Sequence, residues 1–145
     1  MKIDSFIDGP DINNKSYRYI CLSSEISIGK SKSFSIKTAE GEDIEIAVFN
    51  IDGIFYAISN TCIHKGGPLS KGFLDKDIVT CPWHGWKYSV KDGKSPHQGG
   101  DSVNSYEVRE IEDKIYVNYI PSANGKKYFN HIKHIQNWKK LLINF

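Results

Sequence analysis

Short runs of alternating, β-branched and aromatic residues recur along most of the chain, separated by polar and glycine-containing segments. Such runs predict half-buried strands, and Asp52-Gly53 and Asp92-Gly93 between them predict tight hairpin turns. About eight short strands at this spacing predict an all-β fold, an antiparallel sandwich or barrel. The predicted strands are 17–22, 33–37, 44–49, 54–58, 78–80, 86–90, 105–111 and 115–120.

The pattern changes after Pro121 and the Asn124-Gly125 pair, where apolar residues recur at intervals of three and four. This spacing predicts an amphipathic C-terminal helix within residues 121–145. Its apolar positions are Phe129, Ile132, Ile135, Trp138, Leu142 and Phe145. We expect that stripe to pack on the body of the protein or on a second subunit. An acidic redox partner is the next alternative, and membrane contact or nucleic-acid binding is not expected.

Charge is distributed unevenly between these two parts of the chain. Residues 1–120 contain 14 Lys and Arg against 17 Asp and Glu, whereas residues 121–145 contain five Lys and no acidic residue. The net charge of +2 for the whole chain therefore conceals an acidic body and a basic tail. We predict two units, a domain over 1–120 and a basic helical extension over 121–145.

Two short motifs carry the candidate chemistry: Cys62-Ile63-His64 and Cys81-Pro82-Trp83-His84. Together they supply two thiols and two imidazoles to one site. A structural zinc ion accepts such a set, but its ligand pairs usually enclose two or more residues, and Cys62 and His64 enclose one. A binuclear iron-sulfur centre of mixed ligation fits better, because each iron then takes two protein ligands.

The stretch from Cys62 to Tyr88 resembles the Rieske 2Fe-2S signature, in which C-x-H is followed by C-P-x-H-G. The weaker resemblance extends over about 17–119 to the Rieske-type ferredoxins. It implies that Cys62 and Cys81 hold one iron and His64 and His84 the other. It also implies a base of antiparallel sheets with a small loop-rich cluster-binding subdomain at about 60–90.

The departures from the respiratory Rieske proteins are informative. Those proteins clamp their cluster loops with a disulfide whose positions correspond here to Gly67 and Trp83, so that bridge is excluded. They also carry a Ser and a Tyr that donate hydrogen bonds to sulfur; here Trp86 replaces the Ser and Tyr88 remains. Loss of a donor stabilises the reduced state less, so we expect a low potential for a Rieske centre, as in the ferredoxins of oxygenase systems.

Further residues around the two motifs are expected to surround the cluster. Glycine permits close backbone approach and proline stiffens a loop, while tryptophans exclude water. We therefore place Trp83 and Trp86 as shields and Tyr88 as a hydrogen-bond donor. The remaining residues of this set are Gly66, Gly67, Pro68 and Gly85.

Cysteine usage and the N-terminal sequence bear on location. Cys21 lies in an apolar run and is expected to be a buried, inert thiol, which leaves no cysteine pair for a structural disulfide. Unpaired cysteines suit a reducing compartment, and residues 1–14 lack the features of a signal peptide. The cytoplasm is the predicted location.

Together these features predict a one-electron carrier without a catalytic site of its own. A ferredoxin reductase would supply the electron, and a terminal oxygenase or similar redox enzyme would accept it. Two alternatives stay open: a redox or iron sensor, and a non-catalytic small subunit of an oxidoreductase complex. An oxygenase catalytic subunit is not favoured, because the sequence has no further domain for a mononuclear iron.

Overall fold

The computed structural model describes residues 16–62, 66–83, 85–96 and 102–122. Within them the chain forms three antiparallel sheets. Sheet A has the order β1-β10-β9, sheet B the order β2-β3-β4-β8, and sheet C the order β5-β6-β7. The strands are β1 (Tyr17–Leu22), β2 (Ser31–Lys37), β3 (Asp43–Ile51), β4 (Ile54–Ser59), β5 (Phe73–Asp75), β6 (Ile78–Thr80), β7 (Lys87–Ser89), β8 (Ser105–Tyr106), β9 (Val108–Ile111) and β10 (Lys114–Asn118).

The predicted all-β architecture is confirmed, and each predicted run contains a strand. Two details differ. The short strand β5 was not predicted, because three residues with one charge carry almost no periodicity. The run 105–111, predicted as one strand, is two: β8 pairs with β4 in sheet B and β9 pairs with β10 in sheet A. Single-turn 3-10 helices at Ser23–Glu25 and Leu69–Lys71 complete the described elements.

Strand β3 is buried on both faces and separates two hydrophobic cores. Ile46 and Val48 point into the first core, between sheets A and B. Ala47 and Phe49 point the other way, into the second core beneath sheet C. Successive strand residues face opposite sides, so an uninterrupted apolar run is what a doubly covered strand requires. The second core is the platform on which the candidate site is built.

The two predicted glycine turns are both present, with different geometry. Asp52-Gly53 is a two-residue hairpin turn, with φ of 54° and 94°, and it joins β3 to β4. Asp92-Gly93 lies in a longer loop, closed by a hydrogen bond of 2.8 Å from the Ser89 N–H to the Lys94 C=O. Gly93 cannot be replaced without displacement, because a Cβ there would lie 2.2 Å from the Val103 carbonyl oxygen.

A buried polar group explains why the run 105–111 is divided. Glu107, between β8 and β9, accepts a hydrogen bond from the Tyr17 hydroxyl and forms an ion pair with Arg109. Its own carbonyl accepts a hydrogen bond from the Asn118 N–H at 2.9 Å. Burial and the neighbouring Glu107 carboxylate raise the pKa of Tyr17, which keeps the phenol protonated. Glu107 is thus the point at which the chain passes from sheet B to sheet A.

The predicted C-terminal helix, at 121–145, falls almost entirely outside the described residues and stays a prediction. Among the residues that the structure describes, no helix is both long and apolar enough to cross a bilayer.

Candidate metal centre

Cys62 and Cys81 occupy equivalent positions at the base of two hairpin-like loops. In the first loop the Cys62 N–H donates to the Gly67 C=O at 2.9 Å, and the Gly66 N–H donates to the Cys62 C=O at 2.8 Å. The second loop repeats this pattern five and four residues after Cys81, at 2.7 and 3.1 Å. Each cysteine backbone is thereby fixed by two hydrogen bonds.

Glycine at the fourth position after each cysteine is what closes the loops. Gly66 and Gly85 both have a φ of 77°, in the left-handed region that other residues adopt at a cost. Six residues separate the paired positions in each loop, which are Thr61 and Pro68 in the first loop and Thr80 and Lys87 in the second. The repeated C-x3-G spacing is a local sequence signal for this geometry.

The two loops contact each other through Gly67. A Cβ at this residue would lie 2.7 Å from the Cys81 Sγ and 3.0 Å from the Trp83 Cγ, both too close for a real side chain. Only glycine therefore allows the Cys81 thiol to lie against the backbone that closes the first loop. This contact brings the second cysteine beside the loop that holds the first.

Tyr88 contacts the site from the second core. Its hydroxyl lies 3.2 Å from the Cys62 Sγ, and the residue is fully buried in the second core. A phenol donates to a thiolate sulfur, so Tyr88 is placed to stabilise negative charge on Cys62. The side chain sits in β7, opposite Val79 in β6, which fixes its direction.

Both loops are anchored to secondary structure at their bases. Asn60, just after β4, accepts hydrogen bonds from the Leu69 and Ser70 N–H groups on its backbone and side-chain oxygens, each at 2.7 Å. Leu69, Cys62 and Cys81 belong to the same buried core. The second loop is the direct continuation of β6 and returns as β7. The thiols are therefore held by packed elements at the root of each loop.

The other residues predicted around the site have mixed positions. Pro68 pairs with Thr61 and precedes the 3-10 helix at Leu69–Lys71. Trp86 is partly buried and packs against the second core. Trp83 departs from its predicted role as a water shield, since 58% of it is exposed. Its Cβ and Cγ atoms lie next to Gly67, while much of the side chain faces solvent.

The two predicted histidines, His64 and His84, lie outside the described residues, so their ligation stays a prediction. Each falls inside one of the two loops, between the cysteine and the closing glycine.

The third cysteine is set apart from this site, as predicted. Cys21 lies in β1 and belongs to the first core, on the other side of sheet B from Cys62 and Cys81. Burial, together with the Glu25 carboxylate, raises the pKa of its thiol to about 11. A neutral buried thiol is a poor nucleophile and a poor metal ligand, so Cys21 serves as a small apolar core residue.

Comparison with known proteins identifies the family to which the chain belongs. Residues 16–107 match the Rieske [2Fe-2S] domain. The chain belongs to this family. The match contains strands β1 to β8 and both cysteine loops, and it ends before β9 and β10 of sheet A. A Rieske 2Fe-2S cluster is the cofactor that membership implies.

The relatives of this Rieske chain include complete ferredoxins and parts of larger proteins. It is 30% identical over 106 residues to ferredoxin CarAc of Metapseudomonas resinovorans, covering 72% of this chain and 94% of the relative. It is 37% identical over 67 residues to apoptosis-inducing factor 3 of Homo sapiens, covering 46% of this chain but only 11% of that protein.

A solved complex between the reduced oxygenase and the oxidised ferredoxin of carbazole 1,9a-dioxygenase contains a chain similar to this one. The similarity has a TM-score of 0.63 at 27% identity, and it covers 72% of this chain and 94% of the other.

The described residues fit the family's cluster on chemical grounds. The two buried thiols at the bases of adjoining loops are soft ligands, and they supply the sulfur ligands of a cluster held by both sulfur and nitrogen. The Tyr88 hydroxyl is within hydrogen-bond distance of one of the two sulfurs. Gly67 and Trp83, the positions of the respiratory disulfide, are in contact. Where the respiratory proteins join their two loops by a disulfide, this chain instead packs the indole of Trp83 against Gly67.

We predict that Gly67→Ala displaces the Cys81 thiol and at least halves the iron content of purified protein, because the added Cβ overlaps that sulfur. The matched control is Gly85→Ala. A Cβ at Gly85 meets nothing within 4 Å, so only the positive φ is strained, at about 1–2 kcal/mol. Equal iron contents in the two variants, measured per folded chain, would contradict the contact.

We predict that Tyr88→Phe lowers the reduction potential by about tens of millivolts, because the reduced centre loses a donor to sulfur. Loss of the buried hydrogen bond should also lower the free energy of unfolding by about 1 kcal/mol. Protein-film voltammetry measures the potential. Tyr106→Phe is the control, since Tyr106 is a buried tyrosine of the first core and its removal should leave the potential unchanged.

Proposed function

We propose that this chain is a one-electron carrier whose Rieske 2Fe-2S cluster is held by Cys62, His64, Cys81 and His84. The cysteines ligate one iron and the histidines the other. The cluster supplies a reversible one-electron change, and the chain's own residues bind it, exclude water from the thiol side and set its potential. The equivalent placement of the two buried cysteines is the observation that carries this proposal.

The relatives support a carrier role. One is named a ferredoxin and matches over 94% of its length, and another is the ferredoxin component of a biphenyl 2,3-dioxygenase from Rhodococcus jostii, at 37% identity over 76 residues. The structural relative is a ferredoxin seen with its oxygenase. We therefore propose a reductase as electron donor and a terminal oxygenase or similar redox enzyme as acceptor.

The shape of the site suits transfer of an electron without a substrate pocket. The cysteines are buried at the loop roots, whereas the loop tips are exposed at Gly66, Pro82 and Gly85. An electron can then leave through the histidine side of the cluster to a docked partner. A small, transient interface around these tips is the expected mode of association.

The surroundings of the thiols favour a potential toward the bottom of the Rieske range, roughly −150 mV. The Tyr88 hydroxyl reaches the Cys62 sulfur, and Trp86 stands where the respiratory proteins place a second hydroxyl. Fewer donors to sulfur leave the added electron less stabilised.

The proposed organisation is a Rieske domain over 1–120, with its cluster-binding subdomain at about 60–90, followed by the basic extension 121–145. With Cys62 and Cys81 assigned to the cluster, the sequence offers Cys21 no further cysteine for a disulfide, which suits a reducing compartment. We propose the cytoplasm.

The ligand assignment predicts that replacing Cys62 or Cys81 removes the cluster and that replacing Cys21 does not. Cys62→Ser and Cys81→Ser should each lose the visible absorption and nearly all the iron, because cluster binding is lost together with the fold of the loops. Cys21→Ser is the matched control and should keep both, since its thiol lies in the first core. Stoichiometric iron in either ligand variant, or its loss in Cys21→Ser, would refute the assignment.

The carrier function is tested by single-turnover kinetics. The protein is reduced anaerobically with NADH and the reductase of a three-component aromatic dioxygenase, then mixed with the corresponding oxidised oxygenase. We expect bleaching by one electron per chain and reoxidation that accelerates with oxygenase concentration. A cluster that the reductase reduces but that no oxygenase reoxidises faster than buffer alone would favour a sensor or a fixed subunit instead.

A further inference from the structure

The outer face of sheet A is the side turned away from the first core. The register of the strands shows which residues lie on this face. Ile115 and Val117 of β10 point inward, so Tyr116 and Asn118 point outward, and the register places their partners on the same side. The outer face comprises Tyr17, Tyr19, Leu22, Arg109, Ile111, Lys114, Tyr116 and Asn118, with the Glu107 carboxylate joined to Tyr17 and Arg109.

Several of these outward residues are buried although they point away from the core. Tyr17, Glu107, Arg109 and Asn118 are each only 5–8% exposed. An uncovered outer face of an antiparallel sheet is normally solvated. Burial of a carboxylate and a guanidinium on such a face means that other chain atoms lie over it. Among the described elements, the strands most closely packed with sheet A are its own members and β4, which adjoins it from sheet B.

We infer that the outer face of sheet A is the docking site of the chain's own C-terminal segment, residues 123–145. This inference goes beyond the electron-carrier function and does not depend on it. It gives the tail an intramolecular partner of defined chemistry: a sheet face with an aromatic centre and an acidic end.

The C-terminal segment begins beside this face. Ser122 is fixed to β8, where its N–H donates to the Ser105 C=O at 2.9 Å, two residues before Glu107. Just before it, the Tyr119 N–H donates to the Ser16 C=O at 3.0 Å, at the start of β1. The 23 following residues would span about 34 Å even as a helix, whereas five-residue β10 is about 16 Å long. The segment is therefore long enough to cross the sheet.

Charge favours the C-terminal segment over the N-terminal one. The β9–β10 turn, at the far end of the face, exposes Glu112 and Asp113, and no Lys or Arg of the described residues forms an ion pair with either of them. Residues 121–145 contain five Lys and no acid. Residues 1–15 contain three Asp and two Lys, so they share the sign of the turn.

The apolar parts also match. Tyr19 is 52% exposed and meets Tyr116 edge to face, with ring centroids 5.8 Å apart. Leu22 is also exposed, and Ile111 is half-buried. This aromatic and aliphatic strip can receive the apolar stripe of the tail, which has Trp138 near its middle. Covering such a strip removes apolar surface from water, which favours docking.

The test is zero-length carbodiimide cross-linking of the full-length protein, mixed from ¹⁴N- and ¹⁵N-labelled chains and mapped by mass spectrometry. Carbodiimide joins Lys to Asp or Glu only in contact. We expect amide links from Lys133, Lys139 or Lys140 to Glu112 or Asp113, within single chains of one label. The acidic residues Glu40 and Glu42, in the turn between β2 and β3, are the internal control and should be linked to the tail at least fivefold less.

Variants separate charge from packing. Glu112→Gln with Asp113→Asn should abolish these links, and Glu40→Gln with Glu42→Gln should not. Trp138→Ser should reduce the yield several-fold, whereas Ile54→Ser, an exposed apolar change at the β3–β4 turn, should leave it unchanged. Unaltered visible absorption of each variant shows that the metal centre and body are intact, which keeps this test separate from that of the carrier function.

Three results would overturn the inference. Links between chains of different label, at the frequency expected for random pairing of the two labels, would assign the face to a second copy. Links from Lys2 or Lys15 to the β9–β10 turn would assign it to the N-terminal segment. Equal linking of the tail to both acidic turns would show that the tail has no docking site on this face.

Discussion

The contact between Gly67 and the Cys81 sulfur is the constraint on which the rest of the site depends. A metal centre that uses ligands from two separate loops requires the loops to adjoin within a side chain's length. Here the closing residue of the first loop has no side chain, and the cysteine of the second lies in the space left free. The indole of Trp83 packs on the same glycine, so the two loops are held together without a covalent bond.

Packing in the second core holds both cysteine loops in place beneath that contact. Both cysteines are packed with Leu69, Val79 and Tyr88, and β3 supplies the floor through Ala47 and Phe49. Because β3 is also the wall of the first core, the ligand loops are coupled to sheets A and B through a single doubly buried strand. A carrier benefits from this stiffness, since little rearrangement should accompany a change of one charge.

Much of this could be predicted from sequence, for identifiable reasons. Strands with aromatic or β-branched runs, such as β1 and β6, were predicted at their observed bounds, and the two-residue turn at Asp52-Gly53 followed from its glycine. The cysteines were predicted from motif spacing. The division at Glu107 could not be, because it depends on a buried ion pair with Arg109 and a hydrogen bond from Tyr17, ninety residues away in the chain. The exposure of Trp83 likewise depends on loop packing, which periodicity does not encode.

The central claim is that each loop contributes one Cys and one His to a binuclear iron centre. Electron paramagnetic resonance of anaerobically purified, dithionite-reduced protein tests it most directly. Ligation of the reduced iron by two imidazoles predicts a rhombic spin-half signal with an average g value clearly below that of all-cysteine 2Fe-2S clusters. A colourless, zinc-loaded protein without such a signal, or a spectrum typical of four thiolates, would contradict it.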